Sequence, residues 1–150
     1  MDAKESFCAS LAEFGAKLGC GLALDPSGVC NFTVDGEVEV ELRYFDGSDT
    51  VVVWTSIGRL PRDGRAGERA LALLALDEPG AAPDGCTLSM DPETRMALAH
   101  CRCAAEELDG ADDIAAKVSG LVELAIAVRE DFADRFPCDE AAWDGEEGEA

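Results

Sequence analysis

Residues Gly28 to Ile57, GVCNFTVDGEVEVELRYFDGSDTVVVWTSI, carry the strongest architectural signal in the chain. β-Branched and aromatic residues alternate with polar ones on either side of Asp35-Gly36 and of Asp46-Gly47-Ser48-Asp49. That pattern predicts three antiparallel strands joined by two tight turns. Successive side chains of a strand point to opposite faces, so the register sorts them. A loop over 46–49 that pairs Phe45 with Thr50 places Val38, Val40, Leu42 and Tyr44 with Val51, Val53, Thr55 and Ile57. This face is the expected core. The other face then carries Glu37, Glu39, Glu41 and Arg43 together with Phe45, Val52 and Trp54. For the first turn two registers stand. A two-residue Asp35-Gly36 turn sets Val34 opposite Glu37 and sends Cys30, Phe32 and Val34 to the acidic face; a three-residue or bulged turn sends Phe32 inward.

Before this meander, Asp2 and Glu5 form a capping-box pattern, and Phe7, Leu11, Phe14 and Leu18 recur at helical spacing until Gly19 and Gly21. Asp25-Pro26-Ser27-Gly28 turns the chain into the first strand. After the meander, Gly58 to Gly67 reads as a breaker-rich surface loop. Glu68 to Leu76, ERALALLAL, reads as a short helix with almost no polar face. Such a helix needs cover on both sides, either inside the domain or from a second copy of the chain, and in a chain this short the second copy is favoured. Cys86–Met90 and Met96–Cys103 read as a hairpin turning at Asp91-Pro92-Glu93-Thr94. A long helix is expected from Asp109 to Phe136, with Ile114, Val118, Leu121, Val122, Ala125, Val128 and Phe132 along one side. The order is α-β-β-β-α-β-β-α, an α+β domain over residues 1–136. Residues 137–150, with six acidic residues in Cys138–Ala150 and no basic one around Trp143, have the composition of a disordered tail.

The 150 residues suit one domain burying about two-thirds of its unfolded surface. With 32 acidic against 12 basic residues, the formal charge of −20 disfavours nucleic acid and anionic membrane surfaces. Seven cysteines, odd in number and scattered through helix and strand patterns, fit thiols of a reducing cytosol. The N-terminus lacks a basic region followed by a long apolar run, so neither a secretory signal nor membrane insertion is expected.

Nothing in the chain reads as catalytic. The single histidine, His100, lies among small residues of the last strand, and no serine or cysteine sits in a nucleophile elbow. His100-Cys101-Arg102-Cys103 is the one cluster of metal-ligating types. Strand alternation sets Cys101 and Cys103 on one face and His100 on the other, against convergence on one tetrahedral ion. Gly19 and Gly21 follow a helix instead of preceding one, so they lack the geometry that cradles phosphate.

The chain resembles the class I type III secretion chaperones of the Tir chaperone family over about residues 6 to 133. The resemblance rests on LAEFGAKLG (Leu11–Gly19), Gly28-Val29-Cys30, Phe32, the acidic-apolar alternation to Tyr44, Ile57-Gly58-Arg59-Leu60-Pro61, Leu73-Leu74, Asp91-Pro92-Glu93-Thr94 and the closing helix. It implies a cytoplasmic homodimer without enzymatic activity or cofactor, holding the N-terminal segment of a secreted effector extended and ready for export. The secretion-apparatus ATPase is a further partner within its scope. On this resemblance Phe7, Phe14, Phe32, Val34, Val52 and Trp54 are the expected effector-binding residues. Leu71, Leu73, Leu74, Leu76, Cys86 and Leu88 are the expected dimer contact. The rival reading is an acidic regulatory module on the same fold that inhibits a folded basic partner. Purified protein is expected to hold no stoichiometric zinc; elemental analysis checks this, and one zinc per chain would reinstate the His100–Cys103 cluster.

Overall fold

The computed structural model describes residues 2–36, 38–60, 66–76 and 86–135. Helix α1, Ala3–Leu18, begins as its sequence requires. Asp2 accepts from the Glu5 N–H at 2.8 Å, and the Glu5 carboxylate accepts from the Asp2 N–H at 3.0 Å. The box satisfies two amide groups that a helix start leaves without partners. Gly19, at φ 82°, closes the helix in the left-handed conformation, its N–H bonded to Ala16 O. Inside α1, Gly15 lets the following chain fold back tightly. A β-carbon there would stand 2.7 Å from the Cys20 carbonyl oxygen and 2.9 Å from the Leu22 nitrogen.

The strands are β1 (Val29–Val34), β2 (Val38–Phe45), β3 (Thr50–Arg59), β4 (Thr87–Met90) and β5 (Met96–Ala104), with helix α2 (Ala66–Leu76) between β3 and β4. A 3-10 turn, Ala105–Glu107, leads into helix α3, Ala111–Arg135. All strand pairs are antiparallel, in the order β1-β2-β3-β5-β4. The α-β-β-β-α-β-β-α order is the one read from the sequence. β3 departs from it by continuing through Arg59, past a register shift between Ser56 and Gly58, where a loop was expected. The expected tail over 137–150 lies outside the described residues.

The second turn pairs Phe45 with Thr50, as expected, and Val40, Leu42, Tyr44, Val51, Val53, Thr55 and Ile57 are all buried. The buried Thr55 hydroxyl donates to Glu39 O at 2.7 Å, so burial leaves it satisfied. The first turn takes the longer of its two registers. Val34 pairs with Val38, Phe32 with Val40 and Cys30 with Leu42. The two-residue register and its outward Cys30, Phe32 and Val34 are therefore corrected. The reason lies in β1 itself: Cys30, Phe32 and Val34 alternate with Asn31 and Thr33, and the other register would have buried the polar pair.

Helices α1 and α3 cover one face of the sheet. The Phe7 and Tyr44 ring centroids are 5.5 Å apart, and Phe14 meets Phe32 edge-on at 5.7 Å. Tyr44 donates its hydroxyl to Asp49 at 2.7 Å; burial first and then this bond raise its phenol pKa. α3 buries Ile114, Val118, Leu121, Val122, Ala125, Val128 and Phe132. α1 is tied to the start of α3 by Ser10 Oγ, which accepts from Gly110 N, and by Glu13, which accepts from Ala111 N, both at 2.8 Å. α2 packs on β4 and α3 through Ala72 and Leu73. It also buries Arg69 completely, a charged side chain that the apolar reading of this helix passed over.

Gly15→Ala discriminates packing from propensity. Helix propensity alone favours alanine by about 1 kcal/mol, whereas contact with fixed backbone at Cys20 and Leu22 opposes it. The variant is expected to unfold at lower urea concentration than the wild type; a higher midpoint would refute the close approach.

Candidate binding face

The other face of the sheet has no helix against it among the described residues. Its side chains follow from register. Across one row run Asn31, Glu41, Trp54, His100 and Thr87, one from each strand. The next row brings Val29, Arg43, Val52 and Arg102 together. Leu98 lies opposite Ser56, and Phe45 opposite Thr50. Phe45, Val52, Trp54 and Leu98 thus form an apolar diagonal, half-buried except for Phe45, which is 42% exposed. Charged groups flank the diagonal on both sides.

The electrostatics of this face are local. Arg43 Nη2 lies 3.4 Å from Glu41 Oε2. His100 shares a hydrogen bond with Thr87 Oγ1, 3.1 Å from its Nδ1. A shallow depression of about 140 Å³ opens beside the Trp54 ring, lined by Asn31, Glu39, Val40, Glu41, Trp54, Thr55 and Ser56. An open, flat apolar strip rimmed by charged side chains of both signs can hold an extended polypeptide but has no enclosed volume for a small substrate.

Of the expected effector-binding residues, the structure brings only Val52 and Trp54 to this face. Phe7, Phe14 and Phe32 are buried between sheet and helices, at 1%, 4% and 8% exposure, and Val34 is half-buried on the same inner side. Phe45 and Leu98 complete the strip; their place follows from strand alternation, but the sequence reading did not single them out for binding. Of the expected dimer residues, Leu71 and Leu74 project from α2, 68% and 67% exposed. Leu73, Cys86 and Leu88 are buried within the chain, and the Leu76 side chain lies outside the described residues.

Cys101 and Cys103 point into the core, away from His100, as alternation requires. A hydrogen bond with Cys86 and then burial push Cys101 above the ordinary thiol range, and burial raises Cys103. Both shifts favour the neutral thiol over the thiolate. Among the described residues no group of three or more histidine, cysteine and carboxylate side chains could hold a metal, and no helix is long and apolar enough to cross a membrane.

Residues 9–129 match the Tir chaperone protein (CesT) family. The chain belongs to that family, the class I type III secretion chaperones. Solved structures share its fold. A chain of the ExsC–ExsE complex superimposes with a TM-score of 0.66 at 19% identity, covering 91% of this chain and 96% of its own. One from the HopA1–SchA chaperone–effector complex gives 0.64 at 19%, covering 87% and 98%. The Yersinia pestis type III secretion chaperone SycH, solved with a fragment of YscM2, gives 0.60 at 16%, covering 81% and 98%. No curated protein matches the chain.

The two aromatic positions singled out by sequence now separate. Trp54→Glu, on the open face, is expected to fold with a loss of about 1 kcal/mol. Phe32→Glu places a charge against Phe14 and is expected to lose about 3–5 kcal/mol or more. Urea unfolding followed by circular dichroism measures both, and equal stability of the two variants would contradict the assigned register.

Proposed function

We propose that this CesT-family chaperone captures the N-terminal segment of a type III secreted effector in extended form, on the open sheet face, and keeps it competent for export. The observation that carries the reading is the uncovered strip of Phe45, Val52, Trp54 and Leu98. An apolar strip left open in a protein of charge −20 suits a partner that arrives as an unfolded chain. Family membership supports a chaperone role without catalysis. The chaperone–effector complex with which one fold neighbour was solved supports an effector as partner.

The chaperone works as a homodimer in the cytoplasm, joined through α2 and the neighbouring β4 edge. Leu71 and Leu74 support this, since two leucines more than half exposed one turn apart on a helix are costly to leave in water. Dimerisation there leaves the β1–β2–β3 part of the open face free, because β4 and β1 are opposite edges of the sheet.

Two measurements test these parts separately. Leu71→Glu with Leu74→Glu is expected to halve the mass in light scattering while circular dichroism stays unchanged; a wild-type monomer would remove the dimer. Tagged wild-type chaperone expressed in its native host is expected to retain a polypeptide whose N-terminal segment stays unfolded by hydrogen exchange, with at least about tenfold less retained by Val52→Glu/Trp54→Glu. Equal retention by wild type and variant would remove the sheet face as the binding site.

A further inference from the structure

We propose that the open face carries a subsite for one basic side chain, arginine or lysine, of the bound segment, seated over the Trp54 ring beside Glu39 and Glu41. This rests on the reading of that face as the client surface and names the side-chain chemistry that the face selects.

The depression beside Trp54 is the starting point. Its outward side chains are Asn31, Glu39, Glu41, Trp54 and Ser56. Glu41 is the cross-strand partner of both Trp54 and Asn31, and Glu39 lies two residues from Glu41 on the same face of β2. The site therefore offers an indole face, two carboxylates, an amide oxygen and a hydroxyl oxygen. Carboxylates only accept, and the donors they lack are those a guanidinium or ammonium group brings. The indole quadrupole attracts a cation placed over its face.

Neither carboxylate is fully used by the chain itself. Among the described residues no ion pair engages Glu39, and Glu41 meets only Arg43, at 3.4 Å through one oxygen. An apolar side chain seated there would strip water from both carboxylates and give them nothing in exchange, and an acidic one would be repelled. The surrounding charges also set the row of the subsite. Arg43 and Arg102 flank Val52 in the next row, whereas the Trp54 row carries Glu41 and no arginine or lysine. A cation is thus favoured beside Glu39 and Glu41 and disfavoured beside Val52, while Val52, Phe45 and Leu98 remain for the apolar residues of the same segment.

The test uses two synthetic twelve-residue peptides that alternate leucine and serine and differ at one central position, arginine in one and its neutral isostere citrulline in the other. Each is titrated by calorimetry into the full chain. The arginine peptide is expected to bind roughly tenfold more tightly than its twin. In Glu39→Gln/Glu41→Gln, shown by circular dichroism to be folded, the citrulline affinity should hold while the gap shrinks below about twofold. Equal affinity of the two peptides for the wild type, or a gap that survives in the double variant, would overturn the subsite and leave the client face standing. Failure of both peptides to bind the wild type would overturn the subsite together with the reading beneath it.

Discussion

A strand sends alternate side chains to opposite faces, and one layer of helices can bury only one of them. In this chain α1 and α3 lie on the same side of the sheet, and the register fixes which residues they cover. Phe7, Leu11 and Phe14 of α1 join Phe32, Val40, Leu42 and Tyr44, while the α3 stripe from Ile114 to Phe132 joins the same core. The complementary set is left outside: Val52 and Trp54 in the middle of the sheet, Phe45 and Leu98 near them. The open face is the unburied half of the same alternation that makes the core.

Leaving such a strip open invites association with other copies. The composition opposes that outcome. Glu39 and Glu41 stand beside the strip, and the chain as a whole repels its like at −20. On α2, by contrast, Leu71 and Leu74 project with no carboxylate between them. Because α2 lies by β4 and the depression by β1–β3, the exposed leucines and the depression occupy opposite ends of one sheet. The order β1-β2-β3-β5-β4 does that separating, since β5 is inserted between β3 and β4.

The interior shows how much of the polar content is structural. Thr55 closes on the Glu39 carbonyl, Ser10 and Glu13 take up the amides at the start of α3, and the Arg95 and Arg129 guanidinium groups donate to the carbonyls of Leu60 and Ile57 at the end of β3. Each joins segments far apart in the chain and satisfies a backbone group that would otherwise lose its water. The Thr55–Glu39 pair borders the open face, where both residues line the depression.

Local chemistry determined most of the architecture. The Asp2–Glu5 box, the Gly19 stop, the 46–49 turn and the alternation from Val38 to Ile57 are short-range signals, and each produced the element it predicted because few residues compete to set it. Sequence alone also placed Val52, Trp54, Leu71 and Leu74 where a partner could reach them. Tertiary structure decided what depends on neighbours distant in the chain. It took the longer first turn, in which Phe32 meets Phe14, and so set Phe32 and Val34 on the inner side, while the packing of α1 on the sheet buried Phe7 and Phe14. It buried Arg69 in a helix that reads as apolar and turned Leu73, Cys86 and Leu88 inward. Periodicity tells which residues share a face; only the packing of one element on another tells which face meets water.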